Sequence, residues 1–289
     1  MKLVSISHIS DLPKDLIRDI SAKIHLYSTG LIKVTKDEKG KENAKLLGSG
    51  TLVQIEDTRG ILTAQHVTQL ISQDCSLGLT THPDGIEHKN QIKSLHLNVV
   101  EIARPRKASE GPDLSFIGLP PVEANRIATT KVFYNLSKRR LALLSAPPDP
   151  NRGVWFIWGI PDEKTTNENS DRGFDSLRVF HVICGAGGVN RTYSIIDHDY
   201  FEMNVSYARV SDVPMSFGGV SGGGLWQVPL FQRQTGDIVS EDVLFSGVAF
   251  YQTEIKDSIR SIVCHGRKSI YQVAYELIVQ KTAKKLQKN

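Results

Sequence analysis

Phe217-Gly218-Gly219-Val220-Ser221-Gly222-Gly223-Gly224-Leu225-Trp226 sets one hydroxyl among five glycines. Glycine accepts positive φ and close backbone approach, so such a stretch can expose a nucleophile on a tight turn and aim N–H groups at an oxyanion. A glycine-rich hairpin with an incidental serine is written in the same letters. A phosphate-binding loop is not, because no Gly-Lys-Ser/Thr follows.

Gly219-Val220-Ser221-Gly222-Gly223 also satisfies G-x-S-x-G, the nucleophile elbow of α/β-hydrolases. An elbow serine is followed along the chain by its acid and then its histidine, with further β-α units to carry them. Here only a short remainder follows Ser221, and its single histidine is His265. Upstream, His66 and Asp113 precede the serine in the order His, Asp, Ser, which is the chymotrypsin-like order.

His66 stands in Ile61-Leu62-Thr63-Ala64-Gln65-His66-Val67, behind Gly48-Ser49-Gly50-Thr51-Leu52-Val53. A turn at Asp57-Thr58-Arg59-Gly60 predicts a hairpin from 51–55 to 61–63 that ends at the histidine. Asp113 heads a short apolar run in Gly111-Pro112-Asp113-Leu114-Ser115-Phe116-Ile117-Gly118-Leu119. Taken singly, a histidine at a strand end and an aspartate after Gly-Pro are ordinary structural residues. Trp155-Phe156-Ile157-Trp158-Gly159-Ile160-Pro161 and Gly247-Val248-Ala249-Phe250-Tyr251 complete a set of five segments. In this order, over residues 27–262, the set resembles the trypsin and chymotrypsin family of serine peptidases, and stand-alone intracellular bacterial members are the nearest type.

The resemblance implies a mainly β fold of two six-stranded antiparallel β-barrels meeting at a cleft. It implies a serine endopeptidase with His66 as base, Asp113 holding the imidazole and Ser221 as nucleophile, working through an acyl-enzyme on a protein or peptide substrate without metal or cofactor. The N–H groups of Gly219 and Ser221 would form the oxyanion hole. Met215 falls at the base of the expected specificity pocket, with Ser216 next and Phe250 and Tyr251 on the opposite wall. No carboxylate falls there, so cleavage is expected after small or apolar residues and not after Lys or Arg; Asp212 reaches the pocket only if the loop bulges. Val220 stands where secreted digestive members carry an aspartate that pairs with a freed N-terminus, and Val67 where disulfide-bonded relatives place a cysteine. A second reading is a peptide-binding or scaffold module, inactive until a partner orders the loop at Gly218 and Gly219.

Around these segments, short β-rich runs at 50–55, 95–102, 154–160, 178–183 and 243–251 alternate with turn residues. Helical spacing of Leu12, Leu16, Ile17, Ile20 and Ile24 predicts an N-terminal helix, and Ile270, Val273, Ala274, Leu277 and Ile278 a C-terminal one. The expected organisation is an N-terminal helical extension (1–26), a first barrel (27–125), a second barrel (126–262) and a C-terminal helix (263–289), with the link between barrels near 120–131. The 289 residues carry 35 Lys and Arg against 31 Asp and Glu, a net charge of +4 too small and dispersed to imply nucleic-acid binding. No apolar stretch is long enough to span a bilayer and the start lacks a signal-peptide core, so a cytoplasmic protein is expected. Cys75, Cys184 and Cys264 show no C-x-x-C pairing, and Asp197-His198-Asp199 reads as a polar hairpin turn in place of a metal site.

Overall fold

The computed structural model describes residues 2–286, apart from 5, 7, 8, 81–90, 106, 108, 170–174, 179–181, 187, 208–212 and 241. β1 (Lys2–Val4) and α1 (Lys14–Leu26) precede β2 (Ser28–Lys36), β3 (Glu42–Ile55), β4 (Thr58–Thr63), the short helix α2 (Gln65–Thr68), β5 (Ser76–Leu79), β6 (Gln91–Lys93), β7 (Asn98–Ala103) and β8 (Leu114–Gly118). α3 (Pro121–Ile127), β9 (Tyr134–Asn135) and α4 (Leu136–Ser145) lead to β10 (Val154–Gly159), β11 (Thr166–Asn169), β12 (Asp175–Arg178), β13 (Val182–Ala186), β14 (Arg191–Ile195) and β15 (His198–Ser206). Then come β16 (Gly224–Val228), β17 (Leu230–Gln232), β18 (Ile238–Ser240), β19 (Leu244–Gln252) and β20 (Ile259–His265). A wide helical segment, Ser269–Ala274, runs into α5 (Tyr275–Leu286).

One sheet has the order β6-β5-β2-β3-β4-β8-β7, with β9 added to β3; the other has the order β13-β10-β16-β19-β20-β15-β14. The protein is mainly β, two curled antiparallel sheets in a chymotrypsin-like arrangement, as its sequence implies. To the six strands expected of each half, the first sheet adds the three-residue β6 and the two-residue β9, and the second holds seven.

Side chains alternate across a strand, and β10 shows what that demands when both faces are covered. Val154, Phe156 and Trp158 enter a core common to both sheets, while Trp155 and Ile157 fill a core inside the second. A strand buried on both sides reads as an unbroken apolar run, which is how Val154-Trp155-Phe156-Ile157-Trp158 reads. β4 divides likewise, Leu62 into the common core and Ile61 into a further core that also takes in Tyr200, Phe250 and Val263 of the second half. Full burial of each such side chain contributes roughly 1.5–3 kcal/mol. Ile20 and Ile24 of α1 and Ile270, Tyr271 and Ile278 of the C-terminal helix reach the common core too, so each helix uses the apolar face its spacing predicts.

Some local expectations are corrected. The hairpin of β3 and β4 turns at Glu56 and Asp57, with Ile55 opposite Thr58 and Glu56 at φ +47°. Gly60 lies inside β4, where a Cβ would meet the Phe116 ring at 2.2 Å, so packing accounts for it and the turn does not. The stretch near 120–131 holds α3, whose Ala124 and Ile127 are buried in the same core as Ile61. β1 pairs with β17, so the N-terminal segment carries a strand as well as a helix. β20 continues to His265, past the limit expected at 262. The run at 178–183 lies partly outside the described residues. No helix among the described residues is long and apolar enough to cross a membrane.

Candidate active site

β8 runs antiparallel to β4 with Ser115 opposite Thr63. Continued by two residues, that register brings Asp113 beside Gln65, the first residue of α2. Asp113 is buried, and its carboxylate receives three donors: the Gln65 N–H at 2.5 Å and the His66 N–H at 3.0 Å on Oδ1, and His66 Nδ1 at 2.6 Å on Oδ2. A carboxylate can only accept, so Nδ1 carries the proton and a neutral His66 presents its lone pair at Nε2. Thr68 Oγ1 donates to the Gln65 carbonyl at 2.8 Å and lies 3.1 Å from Ser115 Oγ, which pins α2 to β8.

Ser221 sits where two turns meet. The Val220 N–H donates to the Phe217 carbonyl at 3.0 Å and the Gly223 N–H to the Val220 carbonyl at 2.8 Å. Gly219 and Gly222, third in their respective turns, have φ of +81° and +88°, which only glycine adopts at no steric cost. Ser221 therefore stands at the second turn's apex, half-buried.

Buried backbone groups need partners, and tracing them across 217–223 separates two kinds of N–H. Phe217 donates to Gln252 Oε1, Gly218 to Ser216 Oγ, Val220 to Phe217, Gly222 to the Ala249 carbonyl and Gly223 to Val220. Among the described residues, the N–H groups of Gly219 and Ser221 take no hydrogen-bond partner. The Gly218 carbonyl accepts from the Asp162 N–H at 2.8 Å. A trans peptide turns its N–H opposite to its carbonyl, so the Gly219 N–H faces away from Asp162.

The first half grips this loop through Ser49. The Ser49 N–H donates to the Ser221 carbonyl at 2.8 Å; its Oγ donates to the Gly219 carbonyl at 2.8 Å and accepts from the Ile160 N–H at 3.0 Å. A Cβ at Gly222 would lie 2.0 Å from Thr63 Oγ1, and one at Gly48 would meet both Val67 and the Ser221 carbonyl. The serine loop is thus packed against the segment that ends in His66.

Of the residues expected to line a specificity pocket, Met215 is 61% exposed, so it does not furnish a buried apolar base. Its N–H and that of Ser216 donate to the Glu163 carboxylate at 2.9 and 3.0 Å, and its carbonyl accepts from the buried Arg260 guanidinium. Arg260 also donates to Gln252 Oε1 at 3.0 Å. The Phe250 ring is buried, 4.8 Å from the His265 ring between centroids and 5.9 Å from that of Tyr200, so it packs in the interior and is no wall open to solvent. Tyr251 is half-buried. Asp212 lies outside the described residues. Asp199 accepts from the N–H groups of Lys268 and Ser269 and from Ser269 Oγ, and so tethers the start of the C-terminal helix.

Sequence reasoning missed Ser49 and His265. A serine between two glycines before the histidine hairpin was a usable signal for the first, since glycine flanks imply close backbone approach. A lone histidine closing the apolar run Ser261-Ile262-Val263-Cys264-His265 was the signal for the second. His265 is fully buried, its Nε2 accepts the Asp113 N–H at 2.9 Å, and burial lowers its pKa to about 3.

Fold and site together define a chymotrypsin-like β protein with a carboxylate-held histidine on one half and a glycine-flanked serine on the other. No protein-family model and no curated protein matches the chain. Among solved structures, one from work on the coupled folding and binding of the intrinsically disordered Sesbania mosaic virus VPg protein is 11% identical, covering 94% of this chain and 93% of that chain with a TM-score of 0.41. The crystal structure of tobacco vein mottling virus protease is 11% identical over 83% of this chain and 77% of that chain, with a TM-score of 0.35. At that identity and overlap neither likeness carries an argument about activity.

Proposed function

We propose that the protein is a serine endopeptidase, hydrolysing peptide bonds through His66, Asp113 and Ser221 and an acyl-enzyme, of the type found in stand-alone intracellular bacterial trypsin-like peptidases. The observation that carries the reading is the pattern of N–H groups across 217–223. Five are engaged, and the two that remain flank the nucleophile, at Gly219 and Ser221. Ser221 Oγ attacks the scissile carbonyl while His66 Nε2 takes its proton, and Asp113 stabilises the resulting imidazolium. The tetrahedral oxyanion accepts from the two free N–H groups, each contributing roughly 3–4 kcal/mol. His66 returns the proton to the departing amine, and water repeats the sequence on the acyl-enzyme. The 27–125 unit supplies base and acid, the 126–262 unit the nucleophile, and no step uses a cofactor.

A scaffold module that waits for a partner to order its oxyanion loop fits less well, because Asp162, Ser49 and the five engaged N–H groups already hold the loop. A fluorophosphonate probe tests the choice. Labelling of the purified protein at Ser221, lost in Ser221→Ala, supports the enzyme; no labelling under any condition supports the module.

A further inference from the structure

Asp113 is the last residue before β8, and its backbone has no ladder partner: the pairing of β8 with β4 stops at Ser115 and that with β7 at Leu114. Pro112 before it has no N–H to offer. The Asp113 N–H is therefore a buried donor that the first sheet leaves unmet, a group whose isolation costs on the order of a full desolvation penalty. His265 meets it from the other sheet, at the end of β20, where it lies opposite Tyr200 of β15 and Val248 of β19. The imidazole is enclosed by the rings of Phe250, Tyr200 and His198 at 4.8, 5.4 and 5.7 Å between centroids.

Resting on the peptidase reading, we propose that His265 is a positioning residue for the triad acid, a neutral imidazole whose Nε2 lone pair clamps the Asp113 backbone from the second sheet. The tautomer follows from the partner. A backbone N–H can only donate, so Nε2 accepts and the proton resides on Nδ1, the reverse of an imidazole that donates through Nε2. Asp113 is then held at both ends. Its main chain is tied to β20, and its carboxylate is spread over the Gln65 N–H, the His66 N–H and His66 Nδ1. A shift of the main chain turns the carboxylate off one or more of those donors, and the imidazole that must receive the serine proton loses its fixed orientation. The clamp also ties the acid of one half to a strand of the half that bears the nucleophile, so the packing of the two sheets sets the geometry of the base.

The charged and titratable groups around this imidazole are His198, Asp113, Asp199 and Tyr200. With burial opposing its protonation, His265 stays in one state across the range in which a histidine base works.

The test compares His265→Phe, which keeps an aromatic ring among Phe250 and Tyr200 but has no acceptor, with His265→Gln, whose carbonyl can accept. His265→Phe is expected to lower kcat roughly 10- to 100-fold, the scale of a displaced catalytic group, with KM unchanged, an altered pH dependence of kcat/KM and proportionally slower fluorophosphonate labelling of Ser221. His265→Gln is expected to restore part of that loss. Wild-type kcat and pH profile in a folded His265→Phe overturn the inference and leave the peptidase reading intact. A wild-type protein that neither labels nor cleaves overturns the reading and the inference with it. The unmodified protein gives a measurement that does not depend on the variants folding: ¹⁵N NMR of its histidines should show His265 as the Nδ1–H tautomer, unchanged from pH 5 to 9, with the Asp113 amide slow to exchange. An Nε2–H tautomer overturns the clamp outright.

Discussion

The two sides of the candidate site are built on different principles. On the base side, side chains do the holding: the Asp113 carboxylate gathers two N–H groups and an imidazole, and His265 anchors the residue from behind. On the nucleophile side the main chain does it, through two consecutive turns, positive-φ glycines and a carbonyl grip from Ser49 and Asp162. In the proposed mechanism the base turns and changes charge, which suits an adjustable set of side-chain acceptors. An oxyanion hole must not move at all, and a backbone locked at each peptide provides that. The consequence is an asymmetry in what substitution does: on the base side, single side chains should affect rate far more than folding, whereas on the nucleophile side folding and rate should fall together, Ser221 excepted.

The largest expected effects test that asymmetry directly. Ser221→Ala leaves every turn hydrogen bond in place and should fold as the wild type, with kcat reduced by up to roughly a millionfold. Equal residual cleavage by the variant would sink the triad assignment. Asp113→Asn keeps the size of the side chain but offers an amide where His66 Nδ1 needs an acceptor, and should lower kcat by roughly 10⁴. An Asp113→Asn protein with near wild-type turnover would remove the base side from the comparison.

Much of this architecture is legible in the sequence, and the pattern of what is not has a physical cause. His66, Asp113 and Ser221 stand out as candidates because each lies in a run whose residue types are locally constrained: small residues before the histidine, Gly-Pro before the aspartate, glycines around the serine. The common core is readable at β10, where an unbroken apolar run means burial on both faces. His265 and Ser49 are hidden because their partners, Asp113 and Gly219, lie far away in the chain and are met only when the two sheets pack. Met215 misled because position relative to the serine says nothing about which way a side chain faces on an irregular loop. Its exposure is a tertiary outcome.

Two buried bases extend the comparison to pH. His265 is held neutral by burial down to about pH 3, while in the unfolded chain it protonates near its ordinary value of 6.5. Between these limits the unfolded state binds more protons, so stability falls as pH drops from about 6.5 towards 3. Lys131, buried with its Nζ donating to the His25 carbonyl at 2.8 Å, is lowered to about 7 from 10.5. Here stability falls as pH drops from about 10.5 to 7 and is level below. Each contribution is on the order of 5 kcal/mol at most. Denaturant unfolding of Lys131→Met between pH 7 and 10.5 should lack the slope seen in the wild type; an unchanged slope would assign it to other groups.

Ser49→Ala sharpens the contrast on the nucleophile side. It removes the donor to the half-buried Gly219 carbonyl and the acceptor for the buried Ile160 N–H, which should cost about 1–3 kcal/mol of stability. The freed Gly219 peptide should also slow acylation, so rate and stability fall in the same variant, as main-chain holding requires. Stopped-flow phosphonylation together with urea unfolding reads both quantities. A loss of stability without a loss of rate would show that the turns hold the oxyanion loop unaided.

The smallest effect expected concerns which residue precedes the cleaved bond. Exclusion of Lys and Arg follows from the sequence through a buried Met215 thioether, but that side chain is exposed. A different group bears on the same question. Arg260 is 8% exposed, donates to the Met215 carbonyl and to Gln252, and pairs with no carboxylate among the described residues. On the loop that leads to Ser221 this cation shares its place with the Glu163 carboxylate, which accepts from the Met215 and Ser216 N–H groups, so an incoming cation is repelled by the one and attracted by the other, and removing Arg260 leaves only the attraction. Arg260→Met should therefore relax the exclusion of Lys by roughly tenfold, about 1.4 kcal/mol, whereas Met215→Ala should leave the profile unaltered. Cleavage of a peptide library, read by mass spectrometry with Ser221→Ala as control, measures both. Dominant cleavage after Lys or Arg by the wild type would show that Arg260 does not face the substrate and would place the selecting group in the segment around Asp212.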